Sequence, residues 1–138
     1  MPIKIEALTK IYSTAEAKVT ALASTTLSFA DYSFTTIVGK SGCGKTTLLR
    51  LLAGLENPTA GTVSFSAKKP EIGFVFQSFN LLPQLTALDN VALPLTYRGV
   101  SRHEARVQAL TQIQQVGMAN YAAHKPSELS GGQCQRIA

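Results

Sequence analysis

The spacing of hydrophobic residues along the chain changes near residue 77. Up to that point the apolar residues form short β-branched runs separated by Ser, Thr and Ala, a pattern typical of strands. The predicted strands are IKIEAL from Ile3, VTAL from Val19, LSF from Leu27, FTTIV from Phe34, TVSF from Thr62 and IGFVF from Ile72. A helical run, TTLLRLLAGL, follows the fourth strand, with Gly54 as its predicted C-cap.

Beyond residue 77 the pattern becomes helical. The stretch from Leu81 to Leu95 is apolar and is interrupted by two prolines, and Ser101 and Glu104 form an S-x-x-E capping box. The helix that this box opens is predicted to carry an apolar stripe and to stop at Gly117; the stripe residues are Val107, Leu110 and Ile113. Strands followed by helices predict an α/β core with an appended helical subdomain.

Composition is consistent with one soluble domain. The 138 residues are 45% hydrophobic and 15% charged, and the start of the chain has no signal-peptide core. No apolar run approaches the roughly 18 residues of a membrane span, so we expect a cytoplasmic chain. Two cysteines are too few for a disulfide framework or a zinc site. The net charge of +5 favours a solvated basic surface over an anionic partner.

The sequence GKSGCGKT, from Gly39 to Thr46, matches the phosphate-binding pattern G-x-x-x-x-G-K-[ST] and lies between a predicted strand and a helix. Glycines allow backbone N–H groups to surround phosphate oxygens, and the following helix directs its positive end at the same anion. A lysine adds charge for the β- and γ-phosphates, and a hydroxyl ligates Mg²⁺. The predicted nucleotide-binding residues are Gly39, Lys40, Ser41, Gly42, Cys43, Gly44, Lys45, Thr46 and Thr47.

This motif alone leaves the class of nucleotide enzyme open, although the N-K-x-D motif of GTPases is not in the sequence. A second motif, LSGGQ from Leu129, narrows the choice. The two motifs together resemble the nucleotide-binding domains of ABC transporters, and the resemblance covers essentially the whole chain. It implies a P-loop NTPase (RecA-like) core with N-terminal antiparallel β strands and an α-helical subdomain.

The resemblance also implies further site residues. Tyr12 matches the aromatic residue that stacks on adenine. Gln77 matches the glutamine that reaches Mg²⁺ and the attacking water, so the implied metal ligands are Thr46 and Gln77. The signature residues of one domain cover the γ-phosphate bound by a second, head-to-tail domain; in this chain they are Ser130, Gly131, Gly132 and Gln133.

The implied cofactors are ATP and Mg²⁺, and the implied partners are a second nucleotide-binding domain and a transmembrane permease subunit. Such a chain is expected in the cytoplasm, peripheral on the inner face of the membrane, with no nucleic acid partner. HKPSELSGGQ resembles lipoprotein-release and macrolide-export proteins, whereas FSAKKPEIGFVFQ resembles nitrate, sulfonate and taurine importers. We favour export.

The family continues after its signature to a strand ending in Asp-Glu and to a switch histidine. This chain has no Asp-Glu pair, so we expect one partial domain over residues 1–138, divided into a β and P-loop part over 1–77 and a helical part over 78–138. The C-terminal part of the core sheet is expected to be missing, which leaves an uncovered apolar edge and a chain that binds ATP but scarcely hydrolyses it.

Two alternatives therefore remain beside a transport ATPase. One is a module that binds ATP without hydrolysis. The other is a soluble ABC ATPase that acts on nucleic acid, for which Arg98, Arg102 and Arg106 would supply a basic stripe. A solvated helix face is the preferred interpretation of these arginines.

Overall fold

The computed structural model describes residues 2–66 and 70–138, which form two compact units. The first unit ends at Phe74 and the second runs from Val75 to Ala138. The division of a single partial domain after Gln77 stays a prediction. Within the described ranges, every helix falls short of the length and apolarity that a bilayer crossing requires.

The first unit contains a three-stranded antiparallel sheet. Strand β1 (Ile3–Ser13) lies in the centre, between β2 (Lys18–Phe29) and β3 (Ala60–Phe65). The predicted strands at Ile3 and Thr62 are confirmed. The two runs VTAL and LSF, predicted as separate strands, belong to the single strand β2, because β1 offers a partner along most of its length.

Helix α1 (Lys45–Ala53) supplies the apolar face that covers this sheet. Its buried residues Leu48 and Leu51 join three sheet residues in one core, formed by Ile5, Leu8, Leu22, Leu48 and Leu51. Gly54 ends the helix in the left-handed conformation with φ of 72°, which confirms the predicted C-cap. The packing of α1 on the sheet therefore fixes the direction of the loop that precedes it.

The predicted strands at 34–38 and 72–76 are wrong as strands, because both segments are outside any sheet ladder in the described residues. β-Branched sequence forms a strand only where a neighbouring strand accepts its hydrogen bonds. The side chains of Phe34 and Val38 are 96% and 83% exposed, and that of Val75 is 65% exposed. Phe34 and Val38 are thus exposed apolar residues of the first unit and Val75 of the second, and the uncovered edge of the core sheet stays a prediction.

The second unit is helical. Its helices are α2 (Ala87–Tyr97), α3 (Arg102–Gln115) and α4 (Gly131–Ile137), with 3₁₀ turns at Ala119–Tyr121 and Pro126–Glu128. The Ser101 hydroxyl accepts a hydrogen bond from the Glu104 N–H at 3.3 Å, which confirms one of the two bonds of the predicted capping box, whereas the Glu104 carboxylate accepts from Nε2 of Gln108 at 3.3 Å. Gly117, two residues beyond α3, has φ of 69°.

The predicted apolar stripe on α3 is wrong in two of its three positions. Val107 and Leu110 are 55% and 37% exposed, and only Ile113 is buried. The buried face is formed instead by Ala105, Ala109 and Ile113. Small side chains allow α3 to approach α2 closely, where Ala92 completes the cluster, and periodicity of large apolar residues does not detect such a face.

Asp89 connects the first turn of α2 to α3. Its Oδ2 accepts a hydrogen bond from the N-cap residue Thr86 at 2.8 Å, and its Oδ1 pairs with Arg106 and, at 4.0 Å, with Arg102. Burial opposes ionisation of Asp89, but the hydrogen bonds from Thr86 and Arg106 and the two arginine charges outweigh it and lower the pKa of this carboxyl.

Because the pKa of Asp89 is lowered on folding, its stabilisation is complete above the ordinary value of 3.8 and is lost as pH falls below it. We expect Asp89→Asn to reduce stability at pH 7 by about 1 to 3 kcal/mol and to flatten the acid dependence. Urea denaturation at pH 7 and pH 3 measures the loss of stability and its dependence on pH.

Arg106→Ala should reduce the free energy of unfolding more than Arg102→Ala does, because the Arg102 side chain is 82% exposed. Equal losses in the two variants would contradict the pairing of Arg106 with Asp89.

Candidate functional site

The loop between β2 and α1 is folded around the ammonium group of Lys45. Its Nζ donates hydrogen bonds to the carbonyl oxygens of Gly39 at 2.9 Å and Lys40 at 2.8 Å, and lies 3.7 Å from Sγ of Cys43. A single side chain thus contacts both the beginning and the end of the motif. The positive charge of Lys45 lies inside the turn, where it could form hydrogen bonds with a bound anion.

Two glycines make this turn possible. Gly44 has φ of 95°, and a Cβ there would lie 2.4 Å from the carbonyl oxygen of Ala21 in β2. A Cβ at Gly39 would lie 2.7 Å from Sγ of Cys43. The loop is therefore packed against the backbone of β2 at Gly44, which leaves no room for a side chain there, and against the Cys43 side chain at Gly39.

Helix α1 begins directly after the loop. Its N-cap, Gly44, provides no capping side chain, and its first turn contains no acidic residue. The first N–H groups of the helix and the positive end of its dipole can therefore bind an external anion. Thr46 is exposed in this turn and Thr47 is half-buried. The donors at this helix start fit a phosphate chain, and the role of Thr46 as a Mg²⁺ ligand stays a prediction.

Tyr12 lies beside the same helix turn. Its hydroxyl donates to Oε2 of Glu56 at 2.5 Å, and its side chain remains 40% exposed. The hydrogen bond to Glu56, burial and the Glu56 charge raise the pKa of the phenol, against smaller opposing effects of Thr47 and Arg50. A phenol is already protonated at neutral pH at its ordinary pKa of 10.0, and the raised pKa here does not change that, so the hydroxyl acts as a donor. The structure therefore places Tyr12 beside α1, and its role in adenine binding stays a prediction.

Glu56 and Lys10 were not singled out by the sequence. Lys10 Nζ lies 5.1 Å from the centre of the Tyr12 ring and 3.7 Å from Oε2 of Glu56. Glu56 also pairs with Nε of Arg50 at 2.9 Å. Lys10 and Tyr12 are more than forty residues from Glu56 in the chain, so no local pattern connects them with it. The one available signal is the acidic residue just beyond the Gly54 cap.

The signature residues begin α4. Ser130 is its N-cap, with Oγ accepting from the Gln133 N–H at 3.3 Å, while Oε1 of Gln133 accepts from the Ser130 N–H at 2.7 Å. Gly131 and Gly132 are exposed, and a Cβ at Gly132 would meet nothing within 4 Å. The capping box holds a short stretch of open backbone at the start of the helix.

Gln77 is exposed in a turn of this second unit. The following residues Phe79 and Asn80 both have positive φ, 59° and 52°. The Phe79 ring lies 4.0 Å from where a Cβ of Gly131 would be. The turn after Gln77 and the start of α4 are therefore neighbours within the second unit, whereas Tyr12 and the phosphate loop belong to the first.

The described residues contain no cluster of three His, Cys, Asp or Glu side chains able to hold a metal ion. Two arginines of the proposed basic stripe, Arg102 and Arg106, pair with Asp89. The interpretation of these arginines as a simply solvated face is thus incomplete, since Arg106 serves to join α3 to α2.

A lysine-closed phosphate loop at the start of a helix defines a nucleotide-binding class, and comparison with known families specifies it. The ABC transporter family matches residues 22–138, which is most of the chain. The chain therefore belongs to the ABC transporter family, and the predicted class is confirmed.

Individual relatives agree with this assignment. The chain is 41% identical to an uncharacterized ABC transporter ATP-binding protein of Thermotoga maritima, over 94% of this chain and 61% of that protein. It is 40% identical to the lipoprotein-releasing system ATP-binding protein LolD of Geobacter metallireducens, over 99% of this chain and 67% of that protein. The chain thus spans roughly two thirds of the length of these relatives.

The same fold occurs in a solved structure. The ATP-binding cassette MJ0796 of Methanocaldococcus jannaschii, a dimer in a post-hydrolysis state bound to ADP and Pi, matches with a TM-score of 0.87 and 38% identity. The match covers 98% of this chain and 66% of that one. The predicted α/β fold of an ABC cassette is confirmed.

Proposed function

We propose that this chain is the ATP-binding part of an ABC transporter subunit that couples ATP binding and hydrolysis to transport. The observation that carries the proposal is the loop from Gly39 to Gly44, closed by the Lys45 ammonium at the uncapped start of α1. This geometry supports binding of a nucleotide polyphosphate. Membership of the ABC family makes ATP the expected nucleotide.

Each site residue then has a role. Tyr12 stacks on adenine, Lys45 faces the β- and γ-phosphates, and Thr46 is the ligand for a nucleotide-bound Mg²⁺. Gln77 has the role that the family resemblance implies, which is to reach Mg²⁺ and the attacking water. Mg²⁺, when bound, neutralises charge on the phosphate oxygens.

The signature segment serves a second copy. Ser130 and the open backbone of Gly131 and Gly132 would contact the γ-phosphate held by the phosphate loop of a partner, in a head-to-tail dimer. The dimeric state of the MJ0796 cassette supports this arrangement. A transmembrane permease is the proposed second partner, which would place the chain at the cytoplasmic face of a membrane.

We favour export of the lipoprotein-release kind over import as the transport that this subunit drives. Several relatives that match nearly the whole chain are lipoprotein-releasing ATP-binding proteins, including those of Chromohalobacter salexigens and Bordetella pertussis. An Fe(3+) import protein of Rhizobium etli, 43% identical, covers less of the chain at 86%.

Cys43 tests the proposal directly, because it is exposed inside the phosphate loop while Cys134 is buried. We expect alkylation of Cys43 to block nucleotide binding, since an added group would occupy the phosphate cradle. Mg-ATP should slow this alkylation at least about tenfold when present at ten or more times its dissociation constant. Mass spectrometry of the two cysteine peptides measures both rates.

Cys134 reports on unfolding in the same sample, because a buried thiol reacts only when its surroundings open. Its rate should be low and should not follow occupancy of the loop. Modification of Cys43 at the same rate with and without saturating Mg-ATP would contradict nucleotide binding at this loop.

A further inference from the structure

The Glu56 carboxylate is almost enclosed, with its side chain only 14% exposed, and it has three polar partners. Oε2 accepts the hydrogen bond from the Tyr12 phenol at 2.5 Å and lies 3.7 Å from Nζ of Lys10. Oε1 lies 2.9 Å from Nε of Arg50. The carboxylate thereby joins β1, which carries Tyr12 and Lys10, to α1, which carries Arg50 and follows the phosphate loop.

The segment around Glu56 is itself tied to β1. Lys10 Nζ donates to the carbonyl oxygen of Asn57 at 2.7 Å, and the Thr59 hydroxyl accepts from the Ile11 N–H at 2.9 Å. The residues that follow Glu56 are thus held to β1 at Lys10 and Ile11, the two residues that precede Tyr12. These contacts do not involve the phenol, so they can keep Glu56 beside β1 when the phenol hydroxyl is removed.

The ammonium of Lys10 lies 5.1 Å from the centre of the Tyr12 ring, within the range of a cation–π contact. A planar base can therefore stack only on the opposite ring face. The hydrogen bond at one end of the ring and the cation over one face leave the side chain with a single orientation.

We propose that Glu56 is a positioning residue for adenine: it fixes the Tyr12 ring, through the phenol, in the orientation that receives the base. The inference rests on the proposed function, because it assumes that Tyr12 stacks on the adenine of a nucleotide held by the phosphate loop. An aromatic ring that is already ordered loses less conformational freedom when the base binds.

The experiment compares ATP with tripolyphosphate, which has the phosphate chain but no base. Glu56→Ala should weaken Mg-ATP binding about 3- to 10-fold, the loss expected when one side chain must be ordered on binding. Magnesium tripolyphosphate should bind equally well to both proteins. Glu16→Ala, which removes the same charge from an exposed position, is the matched control and should change neither affinity. Calorimetry measures all the constants.

A second variant separates positioning from folding. Tyr12→Phe keeps the ring and leaves Glu56 paired with Lys10 and Arg50, but removes the hydroxyl. It should reproduce the loss of ATP affinity, and the double variant should lose no more than either single one. Additive losses, or full ATP affinity in Tyr12→Phe, would overturn the inference.

Different results would contradict the proposed function and the positioning role of Glu56. If the unaltered chain bound neither ATP nor tripolyphosphate, the proposed function and this inference would both be wrong. If it bound ATP more tightly than tripolyphosphate and Glu56→Ala weakened both equally, the proposed function would survive. Glu56 would then support the phosphate loop rather than the base.

Discussion

Lys45→Ala is expected to weaken Mg-ATP binding by about 2 to 4 kcal/mol, or roughly 30- to 1000-fold. The ammonium is the charge inside the phosphate loop, where it donates to the carbonyl oxygens of Gly39 and Lys40. When nucleotide binds, phosphate oxygens become its partners, and hydrogen bonds of an ammonium to a charged oxygen are stronger than those to a neutral carbonyl. Removing the charge therefore weakens the bound state more than the free one.

Isothermal calorimetry on the two proteins measures this difference. Lys18→Ala is the matched control, because it removes the same charge from an exposed position in β2. Its affinity should stay within about twofold of the unaltered chain, since exposed charges contribute little. Equal affinities in Lys45→Ala and the control would exclude the loop as the phosphate site.

Gly44→Ala is expected to destabilise the first unit by about 3 kcal/mol or more, even without nucleotide. The residue has φ of 95°, and its new Cβ would overlap the carbonyl oxygen of Ala21 at 2.4 Å. The left-handed conformation costs about 1 to 2 kcal/mol in a residue with a side chain, and the overlap with backbone adds about 1 to 3 kcal/mol. Neither β2 nor α1 can move away without disturbing the core around Leu22 and Leu48.

Gly42→Ala provides the comparison. Gly42 has φ of 80°, but a Cβ there would meet nothing within 4 Å, so only the conformational cost applies. Urea denaturation followed by circular dichroism in the absence of nucleotide should rank the unaltered chain first, Gly42→Ala second and Gly44→Ala last. An equal loss in both variants would show that contact with Ala21 is unimportant.

Local chemistry made the phosphate loop, the Gly54 cap and the Ser101 N-cap predictable. Each depends on residues within a few positions of one another: a glycine that reaches a left-handed conformation, or a hydroxyl that accepts an N–H three residues later. Such features need no distant partner, so a short stretch of sequence contains all the atoms involved. The family resemblance added Tyr12 and Gln77, which no local rule would select.

Features that depend on distant partners were missed. The segment 34–38 has a strand sequence, but it is not part of a sheet in the described residues. On α3 the buried face consists of two alanines and Ile113, whereas the apolar residues Val107 and Leu110 are exposed. In both cases the outcome depends on what lies opposite, which intrinsic preference does not encode.

The sequence by itself determined the phosphate loop and the cap of α3, because the residues of each are adjacent in the chain and their chemistry is local, and two such short motifs together determined the family. Only the tertiary structure decided that Glu56, Lys10 and Arg50 surround the phenol of Tyr12. Their placement depends on the register of β1 with β3 and on the packing of α1 against the sheet. Hydrogen bonds and ion pairs between such distant residues arise only after those elements have come together.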